Sequence, residues 1–337
     1  MSPTLALIVL VLLIAGPLAA APLERNIEFY FLAIGVLAIV LARRLSWALA
    51  CDAARAPVGI AIAVAVSGVI FGATRRRLDR LFVRLESMAP RSVLSGLAVF
   101  VIALLSGVIT AVVAAMLLAE TVNLMRLPEP ARVRVTVFGC YAIGLASALT
   151  PLGGPLAALA ARAMGLPFIG LFALLGPYVL PGIVLCALAA GYSARGWLLE
   201  RGALVHVRER WLDVVLQTVK IYAFVAGLVL VGEALAPFAE SYVSRVSSPA
   251  LFWMNSISAA LDNATLVALE VHKMSAERAR MALIALLVSG GMLIPGNVPN
   301  IICAGLLKIG SSAWARVAIP LGLVMMSGYF LMLIGRA

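Results

Sequence analysis

Gly290-Gly291-Met292-Leu293-Ile294-Pro295-Gly296-Asn297-Val298-Pro299-Asn300 cuts through the apolar run 279–305, and this interruption decides how the chain is read. Two prolines four residues apart remove helix donors and press on the preceding carbonyls, so a helix through them must open. A second stretch has the same design: Ser147-Ala148-Leu149-Thr150-Pro151-Leu152-Gly153-Gly154-Pro155, within the run 134–162. Backbone opened at membrane depth survives only where protein buries it or where it lines a wet cavity.

Composition places these runs in a bilayer. Of 337 residues, 64% are hydrophobic and 12% charged, with a mean hydropathy of +1.10. A soluble chain is roughly a quarter charged, and one core could not hide this much apolar surface. Apolar segments fall at 5–22, 27–42, 57–74, 93–125, 134–162, 167–190, 211–236, 249–271, 279–305 and 313–335. A spanning segment that is not a closed barrel must be helical to satisfy its own backbone. The segment 5–21 ends in a cleavable-looking Leu18-Ala19-Ala20-Ala21. However, no Lys or Arg precedes it and further spans follow, so it reads as a first transmembrane helix.

The net charge of +11 does not indicate nucleic acid. Its residues, such as Arg75, Arg76, Arg77, Arg80, Arg84 and Arg91, lie in short loops between apolar runs, as the positive-inside rule arranges them. The cysteines Cys51, Cys140, Cys186 and Cys303 are scattered, with no metal or redox spacing, and read as packing residues. His206 and His272 sit in basic loops. No cofactor and no resident metal is expected.

The order of features repeats. A polar-centred segment is followed by a Pro/Gly-broken one, then by a span with its own Pro and Gly (Pro177, Pro181, Gly182; then Pro320, Gly322), roughly 145–150 residues apart. Matching interruptions in two halves are the best sequence pointer to a transporter binding site. If 93–125 and 249–271 are re-entrant hairpins, three spans separate them and they enter from opposite faces. Loops 75–92, 126–134 and 191–210 then share the cytoplasmic side. Lys273, Arg278 and Arg280 oppose this topology, and 249–271 is short enough to cross instead. The expected fold class is an all-α polytopic membrane protein of about 8–10 membrane segments. It has two inverted repeats, each with a re-entrant hairpin and a Pro/Gly-broken helix. The expected organisation is N-terminal transmembrane helices over 1–56, a first repeat over 57–190, a basic cytoplasmic linker over 191–210 and a second repeat over 211–337. Basic residues flank the third span on both sides, which leaves the first two helices without a set orientation.

Ionisable groups inside spans are functional candidates. Asp262 has Asn263 and Thr265 beside it and Ser258 one turn back, a set of hard oxygen ligands suited to Na⁺ or a similar cation. The competing role for Asp262 is to cap a broken helix. Asn297 and Asn300 flank the second break, where their amides either coordinate an ion or stitch the opened backbone. Ser147 and Thr150 occupy the matching place in the first half, with Ser106 and Thr110 at the centre of the preceding run. These hydroxyls are ion ligands or back-bond within their helices. Lys220 either snorkels to the interface or acts as a charge partner of Asp262. Glu120, Glu233 and Glu270 sit near segment ends, as interface markers.

The stretch Ser256–Glu270 (SISAALDNATLVALE), with Gly290–Gly305 (GGMLIPGNVPNIICAG), resembles a family of uncharacterised prokaryotic cation transporters. That family is related to the ion transporter superfamily of sodium/proton antiporters, arsenite permeases and sodium-coupled dicarboxylate carriers. Ser106–Thr110 and Ala146–Pro155 (ASALTPLGGP) fit the same pattern, and the resemblance covers most of the chain from about residue 57. It implies hairpin tips at Ser106–Thr110 and Ser258–Thr265, with broken-helix loops at Ser147–Pro155 and Gly290–Asn300. Ala148 stands where the pattern often has asparagine, which weakens a symmetric two-sodium site and favours the second half.

The expectation is therefore a secondary transporter of the prokaryotic cytoplasmic (inner) membrane, exchanging Na⁺ for H⁺ by alternating access. The alternative is sodium-coupled transport of a small anion, a carboxylate or oxyanion, although no span carries a clear substrate arginine. An intramembrane enzyme would need a companion for Asp262 that the spans do not offer, and a passive scaffold would not need two matching breaks. The partners expected are a small inorganic cation or small anion, the lipid bilayer and, as a candidate, a second copy of the chain.

Overall fold

The computed structural model describes residues 5–9, 11–13, 27–58, 61–62, 66, 89–195, 211–243, 246–257 and 275–335. Among them the only regular structure is helical. The N-terminal helices include α1 (Ile27–Leu41) and α2 (Trp47–Arg55). The first half continues with α3 (Arg91–Ile109), α4 (Ala111–Leu124), α5 (Glu129–Ser147), α6 (Pro155–Ala163) and α7 (Gly170–Ser193). The second half holds α8 (Trp211–Val243), α9 (Ser248–Ile257), α10 (Ala276–Met292), α11 (Val298–Leu307) and α12 (Ser311–Ile334), with a 3₁₀ turn at Ile294–Gly296. Among the described residues four helices are long and apolar enough to cross a membrane: α3, α7, the 218–235 part of α8, and α12. The chain is a membrane protein.

Burial is arranged for lipid. On α7, Leu185, Leu188 and Tyr192 are exposed at helical spacing, while Leu171, Leu175, Val179, Ile183 and Cys186 are buried on the opposite side. The outward face carries large apolar groups, the reverse of a soluble surface. Two helices are instead buried nearly all round, α5 from Val135 to Ala146 except half-buried Phe138, and α10 from Met281 to Met292. These are the two helices that run into the breaks. They touch each other, and both touch α7 and α12.

Small residues set the close crossings, as expected where lipid offers no hydrophobic drive for helix association. A Cβ on Gly191 of α7 would lie 2.6 Å from the Ser92 carbonyl of α3. A Cβ on Gly35 of α1 would lie 2.6 Å from the Gly227 carbonyl of α8, beside stacked Phe31 and Phe224 with ring centroids 4.8 Å apart. Arg44, just past α1, pairs with Glu233 of α8 at 2.6 Å. Contacts advance in step along both chains, so α1 and α8 run parallel. Glu233, expected to mark an interface, is thus the partner of a basic residue.

Several expectations need adjusting. The run 93–125 is two helices joined at Thr110. Helix α7 continues through Ser193 and α8 through Val243, past the ends expected at 190 and 236. Pro177, Pro181 and Pro320 lie inside continuous helices, where neighbouring elements absorb the lost donor. Arg278 and Arg280 are not loose loop charges. Arg278 donates to the Val246 carbonyl at 2.7 Å. Arg280 donates to the Leu174 carbonyl at 3.2 Å, with its guanidinium 5.1 Å from the centre of the Tyr178 ring. They pin α10 to its neighbours. Helix α2 was not foreseen. Ser46 caps it by accepting from the Leu49 N–H at 3.2 Å, and Trp47 at its start is exposed.

Candidate functional site

In the first half the chain leaves α3 at Thr110 with φ 78° and ψ 150°. That conformation is nearly confined to glycine and costs about 1–3 kcal/mol elsewhere, so it persists only where surroundings fix it. The surroundings here are the first broken helix. The Ala111 N–H donates to the Gly153 carbonyl at 2.7 Å, and the Thr150 hydroxyl donates to the Gly107 carbonyl. The Ser106 hydroxyl donates to the Ala103 carbonyl at 2.6 Å, with the Ile143 carbonyl of α5 at 3.4 Å. The Ser147 hydroxyl donates to the Gly144 carbonyl at 3.1 Å. The break at Ser106–Thr110 is therefore docked on the break at Ser147–Pro155, and the two polar clusters form one locus.

The second break is built by prolines at helix starts. Leu293 is extended after α10, Pro295 stands in the first positions of the 3₁₀ turn, Asn297 is extended and Pro299 lies in the first turn of α11. At those positions the missing N–H is one no helix would have used. Asn300 spans the gap: its Nδ2 donates to the Gly290 carbonyl at 2.7 Å and the Leu293 carbonyl at 2.9 Å. The Trp314 indole N–H donates to the Gly291 carbonyl at 3.2 Å. Asn300 is fully buried, and its Oδ1 has no hydrogen-bond partner among the described residues.

The two breaks meet across α5. A Cβ on Gly144 would lie 2.9 Å from Asn297 Nδ2. The carbonyl of that same glycine takes the Ser147 hydroxyl. Helix α11 packs on α4 and α5, and the Cys140 thiol donates to the Pro299 carbonyl at 3.6 Å. Ser106, Thr110, Ser147, Thr150, Asn297 and Asn300 thus gather where helix ends of both halves converge. Helix ends leave partial charges, positive at N-termini and negative at C-termini. The last carbonyls of α5 and α10, the hydroxyls and the free amide oxygen are all neutral oxygen donors, the ligand type of hard cations.

Ser258, Asp262, Asn263 and Thr265 lie outside the described residues, as do His206, His272 and Lys273. Lys220 lies partly exposed on α8, a helix that packs chiefly along α1. Among the described residues no group of three His, Cys, Asp or Glu is placed to hold a metal. Sequence reasoning missed Gly144, whose lack of a side chain admits Asn297, and the approach of Cys140 to Cys303; both depend on neighbours far away in the chain.

Gly144→Ala is expected to separate function from stability. Its methyl would collide with the far end of a side chain and not with backbone, so folding should change by less than about 1 kcal/mol. Asn297 must shift, and if a cation is held there its half-saturating concentration should rise about tenfold, equivalent to roughly 1.4 kcal/mol. Thermal melts and cation titrations of the purified variant check both.

No curated protein matches the chain. Residues 4–335 match the model of a family described as "Protein of unknown function (DUF1646)", and the chain belongs to that family.

Proposed function

We propose that this protein is a secondary transporter of the prokaryotic cytoplasmic membrane that exchanges a small cation, Na⁺ in the leading version, for H⁺ by alternating access. The observation that carries this reading is the Asn300 amide. Both its N–H groups are committed to carbonyls at the end of α10, those of Gly290 and Leu293, and its oxygen is buried with no partner among the described residues. Leaving such an oxygen unpaired costs about 1–3 kcal/mol. A dehydrated cation seated against it, with opened carbonyls and hydroxyls as further ligands, removes that cost.

Three features support the wider scheme. The helices entering the two breaks, α5 and α10, are the ones enclosed by protein on nearly every side. The strained turn at Thr110 seats one interrupted segment on the other. Each half also carries, among the described residues, a Pro/Gly-broken helix followed by a long helix with an internal proline. In this reading the halves are inverted repeats, with 93–125 and 249–271 as re-entrant hairpins. Asp262 at the second tip joins Asn297 and Asn300, and it is the group for which cation and proton compete.

Cation binding to the folded state alone stabilises it by mass action, about 2.7 kcal/mol at a hundredfold excess over Kd. Above neutral pH, Na⁺ should raise the melting temperature of the detergent-purified protein. The increment should shrink as pH falls, because a protonated carboxyl no longer holds the ion. Asp262→Asn should remove both the Na⁺ increment and its pH dependence. A Na⁺ increment in that variant equal to wild type, at every pH, removes Asp262 from the site.

A further inference from the structure

Cys140 and Cys303, far apart in sequence, are neighbours in the fold. The Cys140 thiol on α5 donates to the Pro299 carbonyl at 3.6 Å. In α11 that carbonyl is the one four residues before Cys303, so the Cys140 sulfur lies at the helical turn that carries Cys303. The Cys303 thiol donates to the Ala115 carbonyl of α4 at 3.2 Å. The two thiols are near enough to interact with one another. Both residues are buried.

The chemistry of two converging sulfurs is narrow. Zinc asks for four ligands, and no group of three His, Cys, Asp or Glu exists among the described residues to supply them. A soft cation that accepts two thiolates in a line needs nothing more. Charge then selects among such cations. Two thiolates on a monovalent ion leave a net negative charge in an apolar interior, which is costly, whereas two thiolates on a divalent ion are neutral.

We propose that Cys140 and Cys303 form a two-coordinate site for a soft divalent cation of the mercuric type, and that filling it clamps α11 to α5. Two S–H bonds break, two S–metal bonds form and two protons leave to water; the metal keeps its oxidation state. The clamp crosses between the helix that enters the first break and the helix that leaves the second. The site uses neither the Asn300 oxygen nor Asp262, so it stands apart from the identity of the transported ion.

The test uses the full-length protein carrying Cys51→Ser and Cys186→Ala, purified in detergent and titrated with mercuric chloride. Binding is followed by near-ultraviolet thiolate–metal absorbance and intact mass. The expected result is one equivalent bound, a mass gain of one mercury less two protons, and a raised melting temperature. Adding Cys140→Ser or Cys303→Ser should each abolish the melting shift. Each should also let excess glutathione strip the metal about 100-fold more readily, since a bridging second thiol acts at high effective concentration. Two equivalents bound, no uptake, or single-cysteine variants that retain the metal as well as the parent would each overturn the site.

Discussion

Asn300→Leu is expected to lower stability by about 2–4 kcal/mol and to eliminate cation-dependent stabilisation. Leucine fills the space but donates nothing, so the buried Gly290 carbonyl loses its amide partner and the Leu293 carbonyl keeps only the Gly296 N–H at 3.2 Å. Each buried polar group left short of a partner costs about 1–3 kcal/mol. The substitution also deletes the one side-chain oxygen at this break that is buried and unpaired among the described residues. A purely structural brace and a ligand both predict a lower melting temperature. Only the ligand role predicts that added Na⁺ no longer raises it. A variant that melts early yet still gains stability from Na⁺ to the wild-type extent would reduce Asn300 to a brace.

Gly153→Ala is the second large effect, and its companion Gly154→Ala is the control. A Cβ on Gly153 would fall 1.9 Å from the Ser147 carbonyl oxygen and 2.6 Å from its carbon. Backbone cannot yield as a side-chain tip does, so the loop must open. The Gly153 carbonyl then loses the Ala111 N–H, and the strained turn at Thr110 loses the contact that holds it. We expect a cost above about 3 kcal/mol, at the upper end for overpacking, with poor recovery of folded protein. A Cβ on Gly154 meets nothing within 4 Å, so Gly154→Ala should stay within about 0.5 kcal/mol of wild type. Comparing folded yield and melting temperature of the adjacent pair checks the loop geometry independently of transport.

What the sequence made legible follows from where each signal resides. The prolines of GGMLIPGNVPN and SALTPLGGP forced breaks, and breaks stand at both places. Their physical role is different in detail: Pro155, Pro295 and Pro299 stand in the first positions of new helical turns and do not sit inside disrupted ones. Pro177 and Pro181 carry the same residue type yet leave α7 unbroken, because tertiary packing decides whether a lost donor matters. The helical strain at Thr110 was visible only as a polar cluster, since no composition reveals a positive φ. Asn300 stitches the opened backbone with its nitrogen, one of the two roles that the sequence left side by side.

What stayed hidden is long-range. The short helix Trp47–Arg55, with Asp52 and Arg55 in it, lacks the apolar run that marks a span. Gly144 gives no local sign that Asn297 will reach it across half the chain. Arg278 and Arg280 read as loop charges until Val246, Leu174 and Tyr178 are found beside them. Cys140 and Cys303 have no motif spacing at all, because their meeting is made by the packing of α11 on α5.

The most direct test of cation exchange is proton flux across proteoliposomes containing the wild-type protein and an internal pH reporter. Pulses of Na⁺, Li⁺, K⁺ or Ca²⁺ are applied outside. The predicted result is internal alkalinisation on a cation pulse outside, as protons leave in exchange for the entering cation; it reverses when the cation gradient is reversed and is absent from protein-free vesicles. No pH response to any of these cations, from protein that is folded and reconstituted, would contradict the exchange of a cation for protons.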